Sequence, residues 1–282
     1  MGRKMTDVKS RVYELIEEGV NESEATVYIP SKNRAGFTKT NRWLEKTGKT
    51  NYVFVVEPQD EVAYREALPD AKILVLDAND KGIAYARTSI KKYSTFIGEE
   101  FHWQMDDDMT GISFRLDLLK DKKKIRHDQS GFSIAEILLK EYPNIGAVGI
   151  QNESFEFSRK KPALINTQVA GMVCFRNDTG VFWDETVIED TDYSLQLLYK
   201  NYCTVTITSH AFLTLPQMRL KGGNTDEFIS GGLHSRQVAL MDKYPGKFAF
   251  KPDGKLKPSR IWKTFNQRPE HTYDFDPFET LT

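Results

Sequence analysis

The chain has 282 residues, 39% apolar and 12% aromatic, which is enough to bury one large core or two modest ones and excludes both a disordered chain and a peptide-sized disulfide scaffold. Lys and Arg number 39 against 40 Asp and Glu, a formal charge of -1, so a global polycation is excluded and any nucleic-acid contact must come from local patches. The two cysteines, Cys174 and Cys203, stand in apolar strand-like runs without metal or redox spacing, the N-terminus lacks an apolar signal core, and no apolar run approaches the roughly 20 residues that span a bilayer. A soluble cytoplasmic protein without a membrane partner is expected.

Val12, Leu15 and Ile16 recur at helical spacing after Ser10, predicting an amphipathic helix that ends near Gly19. Residues 26–29, 52–56, 72–76 and 101–105 are short β-branched or aromatic runs, each followed by a polar turn, and read as strands. Residues 38–45, 60–68 and 82–93 lie between them and carry helix formers at helical spacing. This alternation predicts an α/β fold with a mostly parallel sheet and helices on both faces. The second half is less regular: a basic segment at 120–127, a helix around 133–142, strands near 147–150 and 169–175, a helix over 191–202 and a strand over 204–208. Beyond Lys247 the chain is rich in Pro, Lys and aromatics, and no internal repeat is evident.

In an open parallel sheet a ligand sits at the carboxyl ends of the strands. The turns there are polar: Pro30-Ser31-Lys32-Asn33-Arg34 after the first strand, Glu57-Pro58 after the second, Asp77-Ala78-Asn79-Asp80 after the third and Asp106-Asp107-Asp108 after the fourth. Neither GxGxxG nor GxxxxGK[ST] is present, which removes the main support for a dehydrogenase-type dinucleotide fold and for a P-loop enzyme. In an extended backbone Asp106 and Asp108 project to one side and Asp107 to the other. Two converging carboxylates call for a hard cation such as Mg2+ or Mn2+, whereas an isolated acidic run is more often a solvated turn. A second acidic group, Glu189, Asp190 and Asp192, opens the helix over 191–202. Capping and the helix dipole account for at least one of the three, and the dipole is expected to lower the pKa of Asp190.

Both acidic groups, in this order, resemble the GT-A class of nucleotide-sugar glycosyltransferases. Val27 to Ser31 with Arg34 looks like the opening nucleotide-binding strand and loop. Gly82 to Arg87 resembles the helix whose Arg approaches the nucleotide, although Thr88 follows Arg87 where many relatives carry Asn. Met105-Asp106-Asp107-Asp108 resembles the DxD metal motif, Gly171 to Arg176 with Trp183-Asp184 resembles the acceptor-side strand and turn, and Glu189-Asp190 resembles the xED motif. Within the class, Ile29 to Ala35, the triple Asp and Lys221-Gly222-Gly223-Asn224 look similar to the TET/JBP-associated glycosyltransferases, which include phage enzymes acting on hydroxymethylated pyrimidines in DNA.

The resemblance implies a GT-A-like chain with an N-terminal helix (1–22), a nucleotide-sugar-binding half (23–108), an acceptor half (109–235) and a basic, aromatic C-terminal extension (236–282). It implies a UDP-sugar donor, with glucose or arabinose as the sugar, held by Pro30, Ser31, Arg34, Asp77, Arg87, Asp106 and Asp107. Mn2+ or Mg2+ would be bound by Asp106, Asp108 and His210, with His234 as the second choice of histidine. Asp190, with Glu189 beside it, would serve as base in an inverting transfer or would place a substrate in a retaining one. Modified double-stranded DNA as acceptor fits two basic patches, one containing Lys122, Lys123, Lys124 and Arg126 and the other Lys251, Lys255, Lys257 and Arg260. Phe248, Phe250, Trp262 and Phe265 interleave with the second patch and are candidates to stack on a displaced base. Solvated charged faces and a tail wrapped on the core are the plainer account of the same residues. A protein or glycan acceptor, or a non-catalytic nucleotide-sugar or DNA-binding module on the same fold, are the alternatives.

Overall fold

The computed structural model describes residues 7–114, 124–126, 128–154, 161–215, 232–252, 254, 256–258 and 261–271. Helix α1 (Val8–Glu18) starts where the Asp7 carboxylate accepts from the Ser10 amide and stops at Gly19, whose φ of 68 closes the last turn. Val8, Val12 and Leu15 line one face of it and are buried in the main core. The predicted alternation then follows: β1 (Val27–Pro30), α2 (Thr40–Thr47), β2 (Tyr52–Val56), α3 (Glu61–Ala67), β3 (Lys72–Val75), α4 (Ile83–Phe96) and β4 (Phe101–Met105). All four strands run parallel, with Val27 opposite Tyr52, Val53 opposite Lys72 and Val27 opposite Trp103 on the other side.

The second half contributes β5 (Met109–Phe114), β6 (Lys124–Arg126), α5 (Ser130–Glu141), β7 (Ile145–Asn152), β8 (Ala163–Ile165), β9 (Met172–Arg176), α6 (Glu189–Tyr199), β10 (Cys203–Thr214) and α7 (Gly232–Lys243), followed by a small antiparallel pair, β11 (Phe248–Phe250) and β12 (Leu256–Pro258). The large sheet has the order β3-β2-β1-β4-β9-β7-β10-β5-β6, with β8 alongside β10. Strand β9 runs antiparallel to both β4 and β7, while β7 and β10 run parallel to each other. The sheet is therefore mainly parallel in direction, with a reversed strand joining its halves, as in a GT-A-like fold.

Several boundaries differ from the periodicity. The strand expected from 169 begins at Met172, because Gly171 has a φ of 75 and ends any extended run before it. Helix α6 stops at Tyr199 rather than 202, two residues before Asn201 takes a φ of 61. Strand β10 runs on through Thr214, held by β5, a strand the sequence pattern does not announce. The 235/236 division falls inside α7.

The C-terminal aromatics are structural where they are described. Phe248 is buried with Val187, Leu195, Leu240, Tyr244 and Ile261, and Trp262 and Phe265 pack on that cluster. Phe250 lies against the His234 ring at 5.2 Å. The expectation that this set stacks on a displaced base is corrected for Phe248, because a side chain holding the tail onto α6 cannot also receive a base. Cys174 and Cys203 are buried free thiols. Among the described residues no helix is long and apolar enough to cross a membrane.

Candidate active site

Strands β1 and β4 are neighbours, but the chain leaves β1 towards β2 on one side and enters β4 on the other, so their carboxyl ends flank the switch point where a crevice forms. Past Met105 the chain turns instead of staying extended, and the alternation expected for Asp106 to Asp108 gives way to separate partners. Asp107 is buried, accepting from the Ser31 hydroxyl and from Arg34 Nη1 at 2.5 Å. The Ser31 and Tyr64 hydroxyls are 2.5 Å apart, and Tyr64 also accepts from the Arg34 amide at 3.2 Å. The start of α2 pins the same turn: the Lys39 amide donates to the Asp107 carbonyl at 2.9 Å, and Thr40 Oγ1 donates to the Asp106 carbonyl at 2.6 Å. The first loop and the acidic turn therefore form one hydrogen-bonded unit. Asp107 is a strut of that unit, which is a different placement from the donor contact expected of it.

Arg87 joins the two acidic groups. It is 4% exposed, with Nη2 3.5 Å from Asp106 Oδ1 and Nη1 3.0 Å from Asp190 Oδ1. Among the described residues its Nε has no hydrogen-bond partner, which leaves a buried donor at the centre of the site. Burial raises the Asp190 pKa to about 7, helped by Glu189 and Asp106 and opposed by Arg87. This corrects the dipole expectation: the N-cap position is held by Ile188, Asp190 lies in the first turn, and the loss of water around a carboxylate facing two others outweighs a terminal partial charge. Asp106 keeps 45% of its side-chain surface open to the crevice; partial loss of water and the neighbouring Asp108, Asp107 and Glu189 push its pKa upward against the pull of Arg87. Asp108 is raised as well, by burial and then by Asp107.

Asp106 and Asp108, both raised and both in the turn after β4, are hard oxygen donors of the kind a divalent cation takes, with its remaining ligands from water and substrate phosphate oxygens. Among the described residues no group of three or more His, Cys, Asp or Glu is arranged to hold a metal. His210 is not brought to Asp106 and Asp108. It is buried, pairs across the sheet with Phe114 and lies 3.0 Å from Ser130 Oγ, whereas Asp108 precedes Met109, which pairs with Thr214. At about 3.3 Å of rise per residue, the intervening length of β10 is more than 10 Å.

The remaining residues divide as follows. Pro30 ends β1 half-buried, and Asp77 is exposed. Beside it the sequence pattern missed a charged cluster: Lys32 Nζ lies 2.5 Å from Asp80 Oδ1 and 3.1 Å from Glu57 Oε2, with Glu57 buried. Asp80 takes a φ of 58, and its Asn-Asp turn after β3 was the available signal. Lys124 and Arg126 lie on β6, the edge strand, and Lys251 and Lys257 are exposed around β11 and β12. Lys122, Lys123, Lys255, Arg260 and the 221–224 segment lie outside the described residues. Arg236 of α7 also reaches the site, with Nη1 3.7 Å from Glu189 Oε2.

The family model described as TET-Associated Glycosyltransferase matches residues 25–223. Among solved structures, a provisionally assigned nucleotide-diphospho-sugar transferase from Desulfovibrio desulfuricans G20 is 8% identical with a TM-score of 0.39, over 66% of this chain and 80% of that one. GalNAc-T7, solved with UDP, GalNAc and Mn2+, is 9% identical with a TM-score of 0.43, over 71% of this chain and 45% of that one. A197 from STIV is 11% identical with a TM-score of 0.38, over 83% and 94%. No curated protein matches the sequence.

Proposed function

The chain belongs to the TET-associated glycosyltransferase family, and from that premise we propose that this nucleotide-sugar glycosyltransferase moves glucose or arabinose from a UDP-sugar to the hydroxymethyl group of 5-hydroxymethylcytosine or 5-hydroxymethyluracil in double-stranded DNA. The observation that carries the proposal is the single guanidinium of Arg87 holding Asp106 and Asp190 together at the switch point.

Asp106 and Asp108 would hold Mn2+ or Mg2+, which when bound acts as a Lewis acid on the departing diphosphate. Asp190 takes the proton from the attacking hydroxyl. A carboxylate raised towards neutrality is a better base than an ordinary one, and the Arg87 pair fixes its orientation. Ser31 and Arg34 keep the first loop closed on the acidic turn, and Pro30, half-buried at the end of β1, would lie beside the donor. The 120–126 segment and the exposed Lys251 and Lys257 would meet DNA phosphates.

The test is to incubate the protein and Mn2+ with a panel of UDP-sugars and duplex DNA, with and without hydroxymethylated pyrimidines, and to weigh the released nucleosides by mass spectrometry. A hexose or pentose mass added only to the hydroxymethylated base is expected. Unmodified DNA together with sugar transfer to a protein or glycan would overturn the DNA assignment.

A further inference from the structure

Helix α7 lies beyond residue 223, where the family match ends, yet its inward face is latched to the acidic helix of the site. Asp192 on α6 is fully buried and accepts from the Tyr244 hydroxyl at 2.7 Å and from Lys243 Nζ at 2.9 Å. Lys243 also reaches Asp184 Oδ2 at 2.8 Å. Leu240 is buried against Leu195 and Val187 between those contacts. Arg236, Leu240, Lys243 and Tyr244 fall at the i, i+4, i+7 and i+8 spacing of one helical stripe. A stripe anchored at its end by a buried carboxylate delivers its first member, Arg236, to the start of α6.

There the Arg236 guanidinium stands between two helix N-termini. Nη1 is 3.7 Å from Glu189 Oε2 on α6, and Nη2 would lie 3.7 Å from a Cβ built at Gly82, the residue that opens α4. We propose that Arg236 binds the diphosphate of the donor, as a cation that the C-terminal extension supplies to a crevice otherwise crowded with carboxylates. An arginine fork matches phosphate oxygens two at a time. With a cation on Asp106 and Asp108, Glu189 and Asp190 still present negative charge to a diphosphate, and Arg87 is already shared between Asp106 and Asp190. Gly82 belongs to the donor half, and the Arg236 side chain is only 18% exposed, too enclosed for the backbone of a duplex but suited to a small anion.

This inference rests on the UDP-sugar reading, so wild-type protein with Mn2+ is first titrated with UDP and with uridine by calorimetry. Arg236→Gln is expected to weaken UDP binding about tenfold or more while leaving uridine unchanged, with Arg236→Lys in between. Lys243→Met, which releases the latch without touching the crevice, is expected to weaken UDP in the same direction. Equal UDP affinity in wild type and Arg236→Gln would overturn the assignment, and so would a matching loss of uridine. Wild-type protein that binds no UDP would instead sink the donor reading itself.

Discussion

Arg87 Nη1 lies 3.0 Å from Asp190 Oδ1, and the same guanidinium reaches Asp106 at 3.5 Å. One buried cation therefore balances carboxylates that come from the end of β4 and the first turn of α6. Removing one partner of a buried pair strands the other, which typically costs about 3–5 kcal/mol. Arg87→Met is expected to lower the melting temperature clearly, and Mn2+ should restore part of the loss by standing in as the missing cation. Thermal unfolding with and without Mn2+ checks this, and an unchanged melting temperature would contradict it.

Asp190→Asn keeps the shape of the side chain and removes its basicity. The expected outcome is a fall in kcat of roughly 10²–10⁴-fold, with UDP affinity nearly unchanged because Asp106, Asp108 and the first loop are intact. Single-turnover rates beside donor titrations separate the two effects. Wild-type turnover would remove Asp190 from the reaction.

Asp108→Asn should abolish metal-dependent turnover with little loss of stability, since Asp108 sits in the turn after β4 rather than in an apolar core. Full activity in excess EDTA would contradict a metal at this position.

Lys91 gives the fold a pH signature unconnected with turnover. It is fully buried, donating to Thr179 Oγ1, the Val181 carbonyl and the Tyr193 hydroxyl with no carboxylate among these contacts, and burial lowers its pKa to about 7. Between about 7 and the ordinary value of 10.5 the unfolded chain binds a proton that the native chain does not, so stability from this group rises with pH across that window. Below it both states are protonated and the burial penalty is felt in full. Urea midpoints from pH 6.5 to 10 should climb more steeply in wild type than in Lys91→Met, and parallel slopes would refute the assignment.

Gly171 has a φ of 75, and a Cβ there would stand 2.6 Å from Phe212 Cζ. Its carbonyl also accepts from the Asp106 amide at 3.2 Å, so a shift would be passed to the acidic turn. Gly171→Ala should cost at least about 2 kcal/mol and reduce activity. Adding Phe212→Leu should recover the clash component but leave the dihedral strain, and denaturant melts of the two variants measure the difference.

The first half of the fold was legible because each of its elements buries a face with its own local period. Val27 to Pro30 and Tyr52 to Val56 are strands by composition alone, and parallel pairing follows from the helices between them. The second half depends on partners distant in sequence. Nothing near Met109 to Phe114 announces a strand until β10 is present to pair with it. The same limit applied to the site. The acidic residues are visible as types, but the sharing of Arg87 and the burial that raises the Asp190 pKa arise only when α4, β4 and α6 converge. The GT-A resemblance implies His210 as the metal histidine, and the register of β10 carries it away from the acidic turn.

The antiparallel strand β9 has a thermodynamic consequence. It pairs with β4 from Phe101 opposite Arg176 to Met105 opposite Met172, and with β7 on its other edge, so the N-terminal and C-terminal halves of the sheet share one uninterrupted ladder. A jaw-like opening between them would have to break that ladder at the base of the crevice. Substrate entry must then be accommodated by surface loops and α7, while the sheet melts as one cooperative unit, and amide protons of β4, β9 and β7 should exchange together, at the global unfolding free energy.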